Sequence, residues 1–591
     1  MVKLRGQKRT KEKMKYRIGN KIAHLVLAFL VVVNVFIGVS PTGVFAQSYE
    51  GGFTAGVMAP LHIDDWEQFE NDLSLAKDMG VNSVSVDVWW GDVEKNGDNQ
   101  FNWSYYDKVF NKIKDADLKI VPIMSFHQCG GNVGDDYTSY LPGWVWSKYY
   151  GKSFRGRTLD WDDLKYKSEL GNASAEYLAL WIDDLVKNEY IDFMNSFENQ
   201  YSQYANDFIE LNISAGSSGE LRYPSYNAHD DGNTYSGFPN KGYLQSYSDL
   251  AQDDFRNSML EKYNNLAGIN SAWGISLTDA SQITPPMDGG NFFYSLDRAY
   301  LDSQYGRDYI EWYNEELVEH GRNMITYAQQ AFDNQFSNIK IGVKIPGVHW
   351  QIKSSDYPRT AEICAGLINA DFSEQNGYGY KPIIEMLKEF DGKIILHFTC
   401  LEMNDGNGDP TSAAKTLVGW VGDTAYSNRV EVKGENALSG GNDSQQFWNN
   451  INEAINNHHY NGITILRMND VVHGDSNQYY RNLINSNSDN PVSSASVIFR
   501  VDEAYTTYGE DLYVVGSSST LGNWDPNQGV KMNPFNYPSW TVTVDNLTKD
   551  TTIEFKFIKK SSNGVTWEDA ISNRTYTIAD TTGEYVGSWN K

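Results

Sequence analysis

Glu220 and Glu435 are the two acids of this chain best placed to act as a pair. Glu220 sits in Gly216–Tyr226 (GSSGELRYPSY), after the apolar alternation of Phe208–Ile213, which suits a strand. A glycine-rich turn lets the backbone come close to a ligand. Tyr223 and Tyr226 would desolvate the acid and raise its pKa, as a general acid requires, while Arg222 would pull it down. Glu435 follows Gly434 in KGENAL and is flanked by Asn436, a side chain suited to orienting a hydroxyl. One protonated and one ionised carboxyl across an aromatic pocket is the equipment for breaking a glycosidic bond. Asp87 and Glu402 are the competing acids. The bland alternative for Glu220 is a loop acid paired with Arg222.

Such a pair needs a scaffold that brings distant segments to one mouth. Eight apolar runs read as strands: 53–61, 81–90, 119–126, 208–213, 339–345, 393–400, 429–433 and 462–468. Helical patterns lie between them, among them one opened by Asp64-Asp65 and ended by Gly80, and others over 307–332 and 445–458. Eight β/α units predict an α/β fold, a closed (β/α)8 TIM-type barrel with its chemistry at the C-terminal strand ends. An open doubly wound sheet would want a glycine-rich phosphate loop after the first strand, and Met58-Ala59-Pro60-Leu61 is not one. Polar residues fall where the barrel needs them: Asp87 on strand two, His127 and Asp135 after strand three, Glu220 after strand four. Lys344, His349 and Trp350 follow on strand five, Thr399 and Glu402 on strand six, Glu435 on strand seven and Arg467 on strand eight.

Composition narrows the partners. The 591 residues carry 49 bases and 76 acids, net −27. Residues 1–46 hold nine of those bases and one acid, followed by an apolar run Leu25–Val39 and a small-residue site at Val44-Phe45-Ala46. That is the pattern of a cleaved secretory signal, which predicts a secreted, extracellular protein. Without it the chain carries 40 bases and 75 acids, net −35, a surface that repels nucleic acid and anionic membranes. A neutral polymer is the natural partner, and 17 Trp with 38 Tyr suit sugar rings. No membrane span follows the signal, and a monomer is expected. Three cysteines, Cys129, Cys364 and Cys400, exclude a disulfide framework. No CxxC or HExxH occurs, so a zinc site is not expected.

The motifs resemble one family. HQCGGNVGD (His127–Asp135) and GSSGELRYPSY look like the two signatures of the β-amylases. VDVWWG (Val86–Gly91), GVHW (Gly347–Trp350), FTCLEM (Phe398–Met403) and GENAL (Gly434–Leu438) resemble its other fixed blocks, in family order over about 400 residues. The resemblance implies a barrel enzyme that releases β-maltose, with inversion, from the non-reducing ends of starch-like α-1,4-glucans. By motif, Glu220 matches the general acid, Glu435 the general base, and Asp135 a loop residue closing over substrate. Asp87, His127, Lys344, His349, Thr399, Asn436, Ala437 and Arg467 match sugar-contacting or orienting positions. Pro346 and Ala215-Gly216-Ser217 depart from the family pattern, and Asp371–Tyr380 is longer and more polar than usual. An inactive starch-binding barrel is disfavoured by the presence of both acids. An endo-acting α-amylase is disfavoured because the Gly-x-Arg-x-Asp nucleophile motif is missing.

The resemblance also implies one structural Ca²⁺ between two segments. Glu94, Asp98 and Asn99 lie after strand two, and Glu189 and Asp192 share a helix face, with Asp192 where the family carries Glu. The run Asp405–Asp409 fails the EF-hand template and reads as a solvated turn.

The catalytic domain is thus expected over 47–488, a Ser/Asn-rich linker over 489–495, and a β-sandwich over 496–591. Its strands are expected at 496–501, 511–515, 540–544, 552–558 and 574–578. Thr506–Trp524 and the segments after it resemble a starch-binding domain. That resemblance places Trp524, Trp567, Lys556 and Asn573 at one sugar site and Tyr508 at a second, and Trp540 reads as core.

Overall fold

The structure, a computed structural model, describes residues 52–130, 135–230, 241–286, 302–354, 359–368, 380–487 and 494–590, except 407, 439, 550, 563 and 581. The signal segment, the extended 371–379 stretch and most of the expected linker lie outside the described residues.

Eight strands close into a parallel barrel: β1 (Thr54–Met58), β2 (Ser83–Trp89), β3 (Lys119–Ser125), β4 (Leu211–Ile213), β5 (Ile341–Ile345), β6 (Ile394–Phe398), β7 (Glu431–Glu435) and β8 (Gly462–Ile465). Each pairs with its neighbour in sequence, and β8 closes on β1 with Val57 opposite Ile465. The (β/α)8 reading therefore holds. The helices used below are α1 (Trp66–Met79), α2 (Ser104–Asp115), α3 (Gly143–Tyr149), α4 (Asp183–Tyr201) and α5 (Gln304–Ala331). Asp65 caps α1 through the amide of Gln68 at 3.0 Å, and Gly80 ends it with φ 89°.

The strands are shifted or trimmed at their ends relative to expectation, and at two of them the difference bears on the site. The seventh ends at Glu435, not Lys433, so Glu435 is itself a strand residue. Gly434 is required by packing: a Cβ there would sit 1.9 Å from Leu401. The fourth ladder begins at Leu211, and the preceding Glu210 turns its carboxylate inward. Its carboxylate meets His397, hydrogen-bonded through Nε2, and Lys433, whose Nζ lies at 2.9 Å, and all three are buried. Burial works to raise the Glu210 pKa, but His397 and Lys433 beside it outweigh that cost and bring it down to about 2. The three meet inside the barrel, and His397 also lines the cavity at the strand ends. Gly342 is needed beside them, since a Cβ would lie 1.9 Å from Asn212 Oδ1 and 2.4 Å from Glu210 Oε1.

After the barrel come two antiparallel-rich sheets. One is ordered 533–536, 539–548, 494–502, 582–588, and the other is built around 511–516 and 552–561. The strands at 530–531, 533–536, 564–567 and 582–588 went unread in the sequence. They are short, or in the last case broken by Gly583 and Gly587. Trp540 is 2% exposed in this core and donates Nε1–H to the carbonyl of Ala504. No helix among the described residues is long and apolar enough to cross a membrane.

Candidate active site

A cavity of about 550 Å³ opens at the C-terminal ends of the strands. Asp87, His127, Asp135, Glu220, Lys344, His349, Thr399, Glu435, Ala437 and Arg467 all line it. Residues spread over 380 positions of sequence thus meet at one mouth because β1–β8 point their ends there.

Glu220 is set by its turn. Gly219 takes φ 76°, and a Cβ on it would press against the His127 ring at 3.1 Å; on Gly216 it would strike the carbonyl of Glu220 at 2.3 Å. The amide of Leu221 bonds the carbonyl of Lys344 at 2.8 Å, tying the turn to β5. Arg222 Nε donates to Glu220 Oε2 at 2.8 Å. The guanidinium is itself held by Asn227 Oδ1 at 2.8 Å and Ser218 Oγ at 3.2 Å, over the ring of Tyr226 at 4.3 Å. Burial outweighs Arg222 and Lys344, and Glu435 adds to it, so the Glu220 pKa is raised. The opposing pulls visible in the sequence are thereby ranked.

Lys344 Nζ donates to Glu435 Oε1 at 2.8 Å, and its pKa is raised despite burial because Glu435, Glu220 and Asp87 surround it. One half-buried ammonium thus stands among the three acids. Asp87 accepts from Ser125 Oγ at 2.7 Å, and burial raises its pKa. His127 lies half-buried against Trp89, and desolvation with the charges of Lys344 and Arg222 brings its pKa down to about 3. His349, with Nδ1 2.7 Å from Ser412 Oγ, is brought down to about 4 by burial. Both imidazoles are neutral near pH 7. His127 Nδ1 and Arg467 Nη1 are buried without a hydrogen-bond partner, which leaves polar atoms at the mouth for a hydroxylated ligand. Thr399 Oγ1 accepts from the amide of Gly347 at 2.8 Å. The Asn436 side chain is held from two sides. Its Nδ2 donates to the carbonyl of Leu438 at 2.7 Å and its Oδ1 accepts from the amide of Leu466 at 2.8 Å, so it braces the loop after β7 against β8. Cys129 and Cys400 are free and buried, and burial pushes both thiols up.

Two supporting residues escaped the sequence reading as such. His320 on α5 meets Asp183 Oδ2 through Nδ1 at 2.7 Å and the carbonyl of Ala215 through Nε2 at 3.1 Å, steadying the start of the Glu220 turn. Glu402, weighed only as a competing catalytic acid, accepts the amide of Ala437 at 3.0 and 3.1 Å. Burial pushes its pKa up to about 7. It anchors the loop that follows Glu435. Glu402→Gln weakens that anchor, and a hydrogen bond to a charged group contributes about 1.5–3 kcal/mol. The expected result is a kcat lower by about tenfold with little change in KM, measured by steady-state kinetics on soluble starch; equal losses in kcat and affinity would point to general disruption.

The expected calcium ligands gather on one flank, away from the mouth. Glu94 is 2% exposed, accepts from Trp90 Nε1 and the amide of Asn99, each at 2.6 Å, and is pushed up to about 7 by burial with Asp98 and Glu189 adding to it. The Asp192 pKa is raised by burial and by Asp98. Among the described residues no three carboxylate, imidazole or thiol groups close on a common point as metal ligands.

In the second domain Trp524 and Trp567 lie with ring centroids 6.4 Å apart, tilted by 35°. Lys556 Nζ binds the carbonyls of Glu568 and Ile571 at 2.5 and 2.9 Å, shaping the loop beside Trp567, and Asn573 donates to Glu554 Oε2 at 2.9 Å. Tyr508 is fully exposed, between the exposed Tyr505 and the strand at 511–516.

Comparison with known proteins places these features. Residues 56–488 match the profile of glycosyl hydrolase family 14, and residues 494–587 that of a starch binding domain. The thermophilic beta-amylase of Thermoanaerobacterium thermosulfurigenes is 38% identical over 97% of this chain and 98% of its own. The beta-amylase of Bacillus cereus is 35% identical over 96% of this chain and 100% of its own. The solved catalytic domain of beta-amylase from Paenibacillus polymyxa superposes with a TM-score of 0.65 at 37% identity, over 74% of this chain and 99% of that one.

Proposed function

This chain belongs to glycosyl hydrolase family 14, and on that footing we propose how its residues carry out the reaction. It is an exo-acting, maltose-releasing hydrolase of starch with a starch-binding domain. Glu220 acts as general acid and protonates the glycosidic oxygen. Glu435 acts as general base and takes a proton from the water that attacks the anomeric carbon. Lys344 holds Glu435 in place, and Asp87, His127 and Arg467 meet sugar hydroxyls. The product is β-maltose, formed with inversion. The observation that carries this assignment is the pairing of a half-buried acid of raised pKa with a strand-end carboxylate bound to Lys344 at 2.8 Å in the same cavity.

Product analysis on soluble starch, recording the anomer as it forms, tests it. β-Maltose alone is expected; a ladder of α-anomeric oligosaccharides would overturn the reading. Trp524→Ala combined with Trp567→Ala is expected to abolish most adsorption to starch granules and to leave the rate on soluble starch within about twofold, since surface substitutions rarely move the fold. Full adsorption by that variant would put the main granule contact elsewhere.

Residues 1–46 are proposed to direct export, so that the chain acts as an extracellular monomer. The calcium reading is proposed here for the ligand set alone, as the oxygens a structural ion would use if it bound. Glu94, Asp98, Glu189 and Asp192 would supply carboxylates and Asn99 a carbonyl, bracing the loop after β2 against α4 away from the sugar.

A further inference from the structure

The residues proposed for calcium already hold a cation of the chain's own. Lys148, on the last turn of α3, places Nζ 2.5 Å from Asp98 Oδ2 and 2.8 and 2.9 Å from Glu189 Oε1 and Oε2. The Glu189 side chain is 4% exposed and also accepts the hydroxyl of Tyr149. The ammonium lies over the rings of Trp144 at 5.2 Å and Tyr149 at 5.8 Å. Trp144 Nε1 donates to the carbonyl of Glu94 at 2.8 Å, so α3 is tied to the loop after β2 at two points. One short helix thereby joins that loop to α4, which is the mechanical task given to the ion.

We propose that Lys148 is a built-in counter-ion that takes the place of the metal. A divalent ion needs six to eight oxygens, and the Asp98 and Glu189 oxygens are among the few on offer here. An ammonium within 3 Å of them repels a second cation at the same place, so calcium binds only after Lys148 leaves. The chain as it stands keeps the two segments joined without metal. Removing the charge at 148 turns the same carboxylates into a calcium site. The inference rests on the calcium reading for the identity of the ligands.

The test compares the full-length protein with Lys148→Gln and Lys148→Arg, reading melting temperature in chelator and in millimolar calcium, and calcium affinity by titration calorimetry. The wild-type protein and Lys148→Arg are expected to melt at the same temperature in both conditions. Lys148→Gln is expected to melt several degrees lower in chelator, to recover in calcium, and to bind the ion at least tenfold more tightly than wild type. A wild-type protein that loses melting temperature in chelator would overturn the role of Lys148 while leaving the calcium ligands standing. A Lys148→Gln variant that binds no calcium would overturn both. A variant that needs calcium during purification to fold supports the proposal.

Discussion

Glu220→Gln is expected to lower kcat on starch by about 10²–10⁴-fold, the range for a positioned general acid. The amide keeps the shape and can still accept from Arg222, but it has no proton to give. The loss is chemical, so it depends on the leaving group. A maltosyl donor whose leaving group departs without protonation, such as a fluoride, is expected to recover most of the rate. The pH profile carries a second signature. Glu220 works protonated, and burial raises its pKa, so the basic limb of kcat/KM in the wild-type enzyme belongs above the ordinary glutamate range. That limb is expected to disappear in Glu220→Gln. Near-native kcat on starch, or a rate on the fluoride as poor as on starch, would remove Glu220 from the role of acid.

Glu435→Gln is expected to cost a similar factor, but without rescue by the activated donor. The base acts on the incoming water, and a better leaving group does nothing for that proton. The variant also leaves Lys344 without its 2.8 Å carboxylate partner, so substrate affinity is expected to shift as well as kcat. Granule adsorption is expected to stay intact, since Trp524 and Trp567 lie in the other domain. Recovery on the fluoride comparable to that of Glu220→Gln would show that the two roles had been exchanged.

The barrel and its mouth were legible because their signals are local. Apolar runs at regular intervals mark strands, and glycines mark the turns after them. The acid Glu220 announces itself by a glycine-rich turn and aromatic neighbours within six positions. What stayed hidden depends on partners far apart in sequence. His320 reaches Ala215 across 105 residues, and Glu402 reaches Ala437 across 35. The bracing of Asn436 was hidden for the same reason, since its partner Leu466 arrives from β8, 30 residues on. The acids 94, 98, 189 and 192 were readable as a cluster. The ammonium that meets them comes from 50 residues beyond Asp98, on a helix whose direction no local pattern gives.

The ionic layer of Glu210, His397 and Lys433 has a consequence for traffic. It turns the mouth into a cul-de-sac. A glucan cannot thread through and be cut at an arbitrary point; it can only back in by one end until that end meets the floor. The filled barrel is the wall at which the inserted end stops. The same wall leaves the freed maltose no rear exit. It must leave by the entrance, so each turnover begins with product and the shortened chain contending for a single doorway.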